Sequence, residues 1–253
     1  MIPVVLVISG HDPSGGAGQI ADIQTVSSLG AHPALAITAL TEQDTRNAYA
    51  VFPCPPEQVT AQLERLIVDM RPAAVKIGLL PNVAVAESIL SILDRLDDVP
   101  IVIDPVLIAS GGGALAESDL VPVLKRQLIP RCTVVTPNLP EALALTGQSD
   151  ARAAAETLLK LGADWALVTG GDADTIDVEN LLLGDSGVTM TRWTRRPGNF
   201  HGTGCTLASA LATRLAQGHD VPAAAAAAQA FVDESLASAL RPGTGQAIPN
   251  RQR

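Results

Sequence analysis

The stretch PVVLVISGHDPSGGAGQIAD, residues 3–22, contains a strand, a glycine-rich turn and the start of a helix. Its first part, PVVLVIS at 3–9, is a continuous apolar run, which is typical of a parallel strand covered on both faces. The glycines then lead into a helix predicted around 17–29, which ends at Gly30. A strand, a turn and a helix in that order form the repeating unit of α/β proteins.

The same alternation continues along the chain. Apolar runs predict further strands at 33–40, 73–78, 100–104, 132–138 and 165–171. Periodic segments predict further helices at 57–70, 82–95, 118–129, 149–162, 203–217 and 221–240. Residues 178–193 contain two strand patterns around a Gly-Asp-Ser-Gly turn, which predicts an antiparallel hairpin. We therefore expect an α/β fold with helices on both faces of the sheet, in one domain spanning 1–253.

The composition narrows the class of protein. The 253 residues are 47% hydrophobic and only 2% aromatic, which predicts a globular protein with an aliphatic core. The net charge of −9 argues against nucleic acid or an anionic membrane as partner, because both need a basic surface.

The three cysteines, Cys54, Cys132 and Cys205, form no CxxC pair, so neither a disulfide framework nor a zinc site is expected. Without a signal-peptide pattern or a membrane-length apolar run, we expect a cytoplasmic protein.

Ligands of open α/β sheets bind beyond the carboxyl ends of the strands, so the segments that follow each strand form the candidate site. Asp104 closes the strand PIVID, and Glu141 lies in the segment NLPEA at 138–142. Two acids at two strand ends predict a site that holds Mg²⁺, partly through water. Asn138 and Glu141 also have the spacing of a helix capping box, and that structural alternative stays open.

Two further segments suit phosphate binding. TGGD at 169–172 presents backbone N–H groups of Thr169, Gly170 and Gly171, although a pair of glycines also makes an ordinary tight turn. Lys76 lies inside an apolar strand, where it either contacts a phosphate or extends to the surface. We take TGGD as a candidate phosphate site.

The glycine-rich turn after the first strand allows several interpretations. Gly16, Gly18 and Ala21 match the dinucleotide fingerprint GxGxxA, but a dinucleotide-binding turn places its first glycine almost at the strand end. Otherwise the segment is a flexible connection, or a loop that wraps a small molecule with Asp22 facing it. Asp22 also fits the solvated face of an amphipathic helix.

The segment HGTGC at 201–205 precedes a helix with a leucine at every fourth residue. Gly202, Thr203 and Gly204 at a helix start predict an anion hole, with free N–H groups and the positive end of the helix dipole. Such a hole stabilises a phosphoryl group in transfer. Cys205 follows where a general base would face the attacking hydroxyl, and a helix N-terminus lowers a cysteine pKa, so a thiolate is expected. The alternative is an inert cysteine that packs against the sheet.

Seven segments occur in order over nearly the whole chain: SGHDPSGGAGQIADIQ, ITALTEQDT, KIGLL, DPVLIASGGGAL, TPNLPEA, TGGD and HGTGCTLASALA. Together they closely resemble the hydroxymethylpyrimidine/phosphomethylpyrimidine kinases of thiamine biosynthesis, a family of the ribokinase superfamily. The most specific segment is HGTGCTLA. Ribokinase relatives generally carry an Asp where this family, like this chain at Cys205, carries a Cys.

The resemblance implies a three-layer ribokinase-like fold, a central mostly parallel sheet and usually a homodimer. It implies that ATP and Mg²⁺ phosphorylate the hydroxymethyl group of 4-amino-5-hydroxymethyl-2-methylpyrimidine, and then its monophosphate. It also implies site roles. The residues implied to contact the pyrimidine are Gly10, Gly16, Ala17, Asp22, Gln43 and Val106. Gly202–Cys205 are implied to bind the phosphoryl group, and Asn138 and Glu141 are implied to bind Mg²⁺ and phosphate.

The sequence departs from the family pattern near the expected ATP phosphates. Many members have KGGH where this chain has TGGD, so Thr169 and Asp172 remove a cation and add an anion. Two alternatives therefore stay open beside the two-step kinase. One is a kinase of pyridoxine-type vitamers, and the other is a pyrimidine-binding protein that no longer uses a nucleotide.

Overall fold

The computed structural model describes residues 2–107, 115–117 and 119–252. Within these residues, nine strands form one sheet in the order β3-β2-β1-β4-β5-β6-β7-β8-β9. Their bounds are β1 (Val4–His11), β2 (His32–Gln43), β3 (Ala48–Pro53), β4 (Ala74–Ile77), β5 (Ile101–Ile103), β6 (Val134–Val135), β7 (Trp165–Val168), β8 (Asp177–Gly184) and β9 (Gly187–Thr194).

The centre of the sheet is parallel, and both of its ends are antiparallel. β2, β1, β4, β5, β6 and β7 run in one direction, because helical connections return the chain to the same edge before each strand. β8 and β9 form an antiparallel hairpin with Gly184 opposite Gly187. The mostly parallel sheet and the hairpin predicted at 178–193 are therefore confirmed.

The sequence does not predict β3, which pairs antiparallel with β2 at one end of the sheet. As an edge strand it has a weakly buried pattern, and the large side chains of Tyr49 and Phe52 are exposed. The alternation that marks a half-buried strand is therefore missing from its sequence.

Helices cover both faces of the sheet, as the sequence predicts. On one face lie α2 (Pro56–Asp69), α3 (Val83–Ser88), α4 (Leu90–Leu93), α5 (Leu120–Val123), α6 (Leu139–Thr146) and α7 (Ala151–Lys160). On the other face lie α1 (Gly18–Ser28), α8 (Thr203–Ala216) and α9 (Val221–Ala237). Successive residues of the central strand β1 point into the two aliphatic cores in turn, Leu6 and Ile8 to one and Val5 and Val7 to the other.

Two predicted helices are less regular than expected. The segment 82–95 is divided between α3 and α4, and the segment predicted at 118–129 continues after α5 as a π-helical turn, Leu124–Leu128, and a 3₁₀ turn, Ile129–Arg131. Pro130 has no N–H to donate, so the α-helical ladder cannot continue through it. The hydrophobic pattern locates these segments, but it does not reveal how they end.

The parallel strands place their carboxyl ends along one edge of the sheet. Gly10 lies in a β-bulge at the end of β1, Lys76 lies in β4, and Asp104 directly follows β5. Beyond β6 and β7, Asn138 and Thr169 form an isolated parallel bridge that continues the sheet by one step. The residues predicted to bind ligands therefore share this edge.

Among the described residues, no helix is long and apolar enough to cross a membrane. The assignment of residues 1–253 to one domain stays a prediction. So does the cytoplasmic location.

Candidate active site

A cavity of about 510 Å³ opens at the carboxyl edge of the sheet. Its wall includes most of the predicted site residues: Gly10, Ala17, Gln43, Asp104, Val106, Asn138, Glu141, Thr169, Gly171, Gly202, Thr203, Gly204 and Cys205. Gly16, Asp22 and Gly170 do not line it. Residues 108–114 of the segment DPVLIASGGGAL lie outside the described residues.

The N-terminus of α8 borders this cavity. Gly202 is its N-cap, with φ at +82°, and Thr203, Gly204 and Cys205 form its first turn. N–H groups in a first turn have no acceptor within the helix, and they lie at the positive end of its dipole. Gly204 faces Asp104, since a methyl group on Gly204 would lie 3.7 Å from Asp104 Oδ1. Open amides therefore lie opposite a carboxyl group.

Gly202 is also the point where two glycine-rich loops touch. A side chain at Gly202 would overlap the carbonyl oxygen of Gly16, and the positive φ favours glycine in any case. Gly16 packs in turn against the ring of His201. Gly16 therefore supports its loop from behind the cavity wall, which corrects the ring contact predicted for this residue.

The thiol of Cys205 lies in a cluster of charged side chains. Burial raises its pKa to about 12, with Lys76 opposing the rise and the carboxyl groups of Asp104 and Asp22 adding to it. The lowered pKa expected at a helix N-terminus is therefore wrong, because desolvation and nearby acids outweigh the dipole. A pKa raised this far keeps Cys205 in its thiol form at neutral pH.

Asp22 is fully buried beneath the cavity. Its Oδ2 accepts from Ser9 Oγ at 2.7 Å, and its Oδ1 accepts from Ser209 Oγ at 2.6 Å. Lys76 Nζ, also fully buried, lies 3.0 Å from Asp22 Oδ1. Both carboxylate oxygens thus have protein partners. This position corrects the direct ring contact predicted for Asp22. Lys76 does not extend to the surface, and its contact with a phosphate stays a prediction.

The ammonium group of Lys76 is held in its charged form. Burial opposes that charge, but Asp22, Cys205 and Asp104 together raise the pKa of Lys76 above its usual range. Lys76 also lines the cavity. It therefore places a positive charge at the cavity wall.

A second buried network joins the loop after β1 to the loop before α8. His201 Nε2 lies 2.8 Å from Asp12 Oδ2 and 2.9 Å from Gln43 Nε2. Asp12 also accepts from Ser14 N at 2.9 Å and from Ala17 N at 2.8 Å, which shapes the turn. Burial works against its charge, yet hydrogen bonds from His201 and Ser14 lower the pKa of Asp12. Because His201 Nε2 donates to Asp12, it cannot also accept from the Gln43 amide, and Gln43 instead has its Oε1 3.0 Å from Thr41 Oγ1.

Asn138 and Glu141 form the capping box of α6, so the structural alternative for this pair is confirmed. Glu141 N donates to Asn138 Oδ1 at 2.8 Å, and Asn138 N donates to Glu141 Oε2 at 3.0 Å. Glu141 Oε1 has only a long contact, 3.4 Å from the amide nitrogen of Leu107. One carboxylate oxygen thus stays available for a second role.

Asp104 and Glu141 fit the donor set that a hard cation requires. Asp104 Oδ2 is buried, and among the described residues it has no hydrogen-bond partner. Burial raises the pKa of Asp104 to about 6 and that of Glu141 to about 8, the latter with a contribution from Asp104. The residues described include no cluster of three or more His, Cys, Asp or Glu that could hold a metal ion. Two carboxyl groups suit a Mg²⁺ ion that keeps waters and phosphate oxygens as its other ligands.

The TGGD turn follows β7 on the other side of the cavity. Gly170 N donates to Asn180 Oδ1 at 3.0 Å, and a side chain at Gly170 would overlap the carbonyl oxygen of Glu179. The amide of Gly170 therefore faces β8, which corrects its predicted phosphate contact. Thr169 and Gly171 lie on the cavity wall.

Arg195, directly after β9, organises the same turn. Its guanidinium donates to the carbonyl oxygens of Gly171 at 2.6 Å, Ala173 at 2.8 Å and Thr175 at 2.8 Å. Arg195 and Arg196 both line the cavity. Positive charge therefore borders this turn even though TGGD itself has no lysine.

Sequence analysis assigns no role to Asp12, Arg195 or Arg251, yet each of them organises a loop of the site. Asp12 lies inside the quoted glycine-rich segment, so its Asp-Pro-Ser turn pattern is a signal that could have identified it. Arg251 is 235 positions from its partner Gly16, and no local pattern predicts such a contact.

Comparison with known proteins gives a consistent assignment. A family model described as phosphomethylpyrimidine kinase matches residues 12–250. A curated hydroxymethylpyrimidine/phosphomethylpyrimidine kinase from Streptomyces coelicolor is 38% identical over 254 residues, covering 96% of this chain and 92% of that protein.

Solved structures show the same similarity. A pyridoxal kinase from Bacillus subtilis, solved as an ADP complex, has a TM-score of 0.90 at 27% identity, covering 99% of this chain and 98% of that one. A phosphomethylpyrimidine kinase from Clostridium difficile has a TM-score of 0.81 at 30% identity, covering 93% of this chain and 100% of that one.

Proposed function

Because this chain belongs to the phosphomethylpyrimidine kinase family, we propose that it phosphorylates 4-amino-5-hydroxymethyl-2-methylpyrimidine and then its monophosphate, with ATP as donor. The observation that carries the proposal is the open N-terminus of α8 opposite Asp104 in the cavity. In each step a bond forms between a substrate oxygen and the γ-phosphorus while the bond from that phosphorus to the ADP oxygen breaks. ADP leaves, and in the first step the hydroxyl proton is released after the transfer. The second step uses the same site, since the monophosphate presents a new oxygen nucleophile.

The first turn of α8 binds the group in transfer. The amides of Thr203, Gly204 and Cys205 are fixed donors for its equatorial oxygens, where charge is spread in a loose transition state. In such a transition state the attacking hydroxyl keeps its proton until late, so Cys205 does not need to be ionised. We assign to its thiol the role of orienting the hydroxymethyl oxygen.

The pyrimidine ring binds between the loop after β1 and the end of β2. The side-chain amide of Gln43 both donates and accepts, which matches the amine and ring nitrogen of an aminopyrimidine. Gly10 and Ala17 allow the backbone to approach the flat ring, and Val106 supplies an apolar surface. Asp22 acts below this wall, through its contacts with Ser9 and Lys76.

ATP phosphates bind on the side of β6 and β7, at Asn138, Thr169 and Gly171. Asp104 and Glu141 hold Mg²⁺, which when bound neutralises phosphate charge. The orphaned Oδ2 of Asp104 and the weakly bonded Oε1 of Glu141 support this assignment. Arg195 keeps the Thr169–Asp172 turn in place by bonding its carbonyl oxygens.

We further assign a homodimer, with its contact at the β3 edge of the sheet, in the cytoplasm. Leu40 and Phe52 are paired across β2 and β3, and their exposed fractions are 49% and 56%. Exposed large apolar side chains that adjoin one another are typical of an interaction surface. Sedimentation of the wild type should give a dimer, and Phe52→Glu should shift it towards monomer.

The function is tested with purified protein, Mg²⁺, ATP and the hydroxymethylpyrimidine or its monophosphate. We expect ADP and the corresponding gain of one phosphoryl group by mass spectrometry with each substrate. Cys205→Ala should bind the pyrimidine in calorimetry and lose most turnover, whereas Cys54→Ala, outside the cavity, should keep it. Absence of ADP with both substrates would overturn the proposal.

A pyridoxine-type vitamer is the second candidate substrate, because the fold is so similar to that of a pyridoxal kinase. Competition in one assay separates the two: the pyrimidine should suppress phosphorylation of pyridoxal at equal concentration. Preferential use of pyridoxal would favour the second candidate. If calorimetry shows binding of the pyrimidine but no binding of ATP, the protein is instead a pyrimidine-binding protein that does not use a nucleotide.

A further inference from the structure

Arg251 is a charged residue enclosed in the interior, only 1% exposed. It follows the residues that the family model matches, which end at 250. A buried guanidinium is costly unless its donors are satisfied and its charge serves a purpose. The partners of Arg251 show what that purpose is.

The guanidinium connects both glycine-rich loops of the site. Its Nη2 donates to the carbonyl oxygen of Gly16 at 2.5 Å and to that of Gly202 at 3.4 Å. Its Nε donates to Thr206 Oγ1 at 2.8 Å, and that hydroxyl donates to the carbonyl oxygen of Gly202 at 2.7 Å. One planar group thus holds the loop after β1 and the first turn of α8 together.

The remaining donors of Arg251 bind α1 and its loop. Nη1 lies 3.2 Å from Gln24 Oε1 and 3.5 Å from the carbonyl oxygen of Gly15. These partners are neutral oxygens. Burial lowers the pKa of Arg251 to about 10, so the group keeps its charge at neutral pH.

The main chain around Arg251 is fixed as well. Its carbonyl oxygen accepts from Ser28 Oγ, and the segment before it pairs with the loop that leads into α8, where His201 N donates to the carbonyl oxygen of Ala247 at 2.8 Å. The tail therefore cannot swing away without releasing the loop before α8.

We propose that Arg251 is a positioning residue, which sets the distance between the pyrimidine loop, residues 12–18, and the phosphoryl-binding turn, residues 202–205. The first loop holds the ring whose hydroxymethyl oxygen attacks the γ-phosphorus, and the second holds the phosphoryl group. A shared planar anchor keeps nucleophile and phosphorus in line. The kinetic part of this inference rests on the proposed function, whereas the structural part does not.

Kinetics form the first test, with Arg251→Met and Arg251→Lys in the full-length chain. We expect Arg251→Met to lower kcat/KM for the pyrimidine about 100-fold, through both kcat and KM, because small misplacements of reacting groups have effects of this size. Arg251→Lys keeps the charge but loses the planar guanidinium with its several donors, so its kcat/KM should stay close to that of Arg251→Met. Arg65→Met, an exposed arginine on α2, is the matched control and should behave as wild type.

Hydrogen exchange forms the second test and needs no substrate. In Arg251→Met, peptides covering 12–18 and 199–206 should both exchange faster, while the hairpin at 177–194 should exchange as in wild type. Faster exchange in all three segments would show a general loss of stability and overturn the positioning role. So would an unchanged kcat/KM, or full recovery by lysine. If the wild type itself does not phosphorylate the pyrimidine, the proposed function fails, and the exchange data alone decide the role of Arg251.

Discussion

The two sides of the cavity are built differently. On the pyrimidine side, buried charged groups hold the loops through side chains: Asp22 with Lys76, Asp12 with His201, and Arg251 with two carbonyl oxygens. On the proposed nucleotide side, the side chains of Asn180 and Arg195 hold only backbone groups of the turn after β7, and Gly171 and Asp172 are exposed.

This difference explains where the sequence departs from the family pattern. A change on the pyrimidine side would leave a buried charge or donor without a partner, which has a large cost in stability. Thr169 and Asp172 lie where their neighbours bond through backbone carbonyls, so replacement leaves nothing unsatisfied. The proposed nucleotide side is therefore free to vary. Arg195, whose partners are carbonyl oxygens, supplies positive charge there, whereas Arg196 is paired with Asp233.

The largest effect is expected from Lys76→Met. It would leave the Asp22 carboxylate buried without its cation, and removal of one partner of a buried pair destabilises a protein by about 4 kcal/mol. Urea unfolding should show this loss, and adding Asp22→Leu should restore much of it. Lys160→Met, on an exposed surface, is the control. Additive effects of the two core substitutions would contradict the pairing.

Gly202→Ala should come next, with a loss of about 3 kcal/mol from the left-handed backbone and the overlap with Gly16. Gly218 has a similar positive φ, so Gly218→Ala has the same backbone strain, but its new methyl group would contact no other atom. It should therefore lose only about 1 kcal/mol. The comparison, by urea unfolding, isolates the contact between the two loops, and equal losses would show that the contact is unimportant.

The Asp12 network should give a smaller, pH-dependent effect. The pKa of Asp12 is lower in the folded state than in the unfolded chain, so its stabilisation is present above the unfolded pKa and is lost as pH falls through the folded one. Asp12→Asn should cost about 2 kcal/mol at neutral pH and progressively less below pH ~4. Unfolding measured against pH checks this, with the exposed Asp69→Asn as control. A difference that does not change with pH would contradict it.

On the nucleotide side the expected effect is smallest. Asp172→Asn removes an exposed negative charge near the proposed ATP phosphates, so KM for ATP should fall about threefold. The pyrimidine KM and the stability should not change. Asp185→Asn, in the exposed β8–β9 turn, is the control. A large loss of stability in Asp172→Asn would show that the Asp172 side chain does contribute to the fold, and would contradict the difference between the two sides.

Much of the fold follows from local patterns. Continuous apolar runs locate β1 and the other parallel strands, and leucine periodicity locates α8, because buried elements must present matching surfaces. The sequence pattern does not predict the edge strand β3, since this strand pairs with only one neighbour and exposes its aromatic side chains. The irregular helix from Leu120 to Arg131 is not predicted either, because a change in the helical hydrogen-bond pattern depends on packing rather than on hydrophobic periodicity.

The site is predicted less evenly. Backbone-based features, such as the helix start at Gly202–Cys205 and the capping box of Asn138 and Glu141, follow from short-range geometry that the sequence encodes. The corrected positions of Gly16, Asp22 and Gly170 all concern which way a group faces. That direction is set by distant partners, namely His201, Lys76 and Asn180.

The sequence by itself determined the α/β class, the sheet edge at which the candidate site residues meet and the glycine-bracketed start of α8. Only the tertiary structure decided that Cys205 is a thiol, that Asp22 lies below the cavity wall, and that Arg251 joins two loops 235 and 49 positions away. The physical reason is range. Backbone geometry and hydrophobic burial are set by neighbouring residues, whereas ionisation and hydrogen-bond partners depend on charges that come together only when the chain is folded.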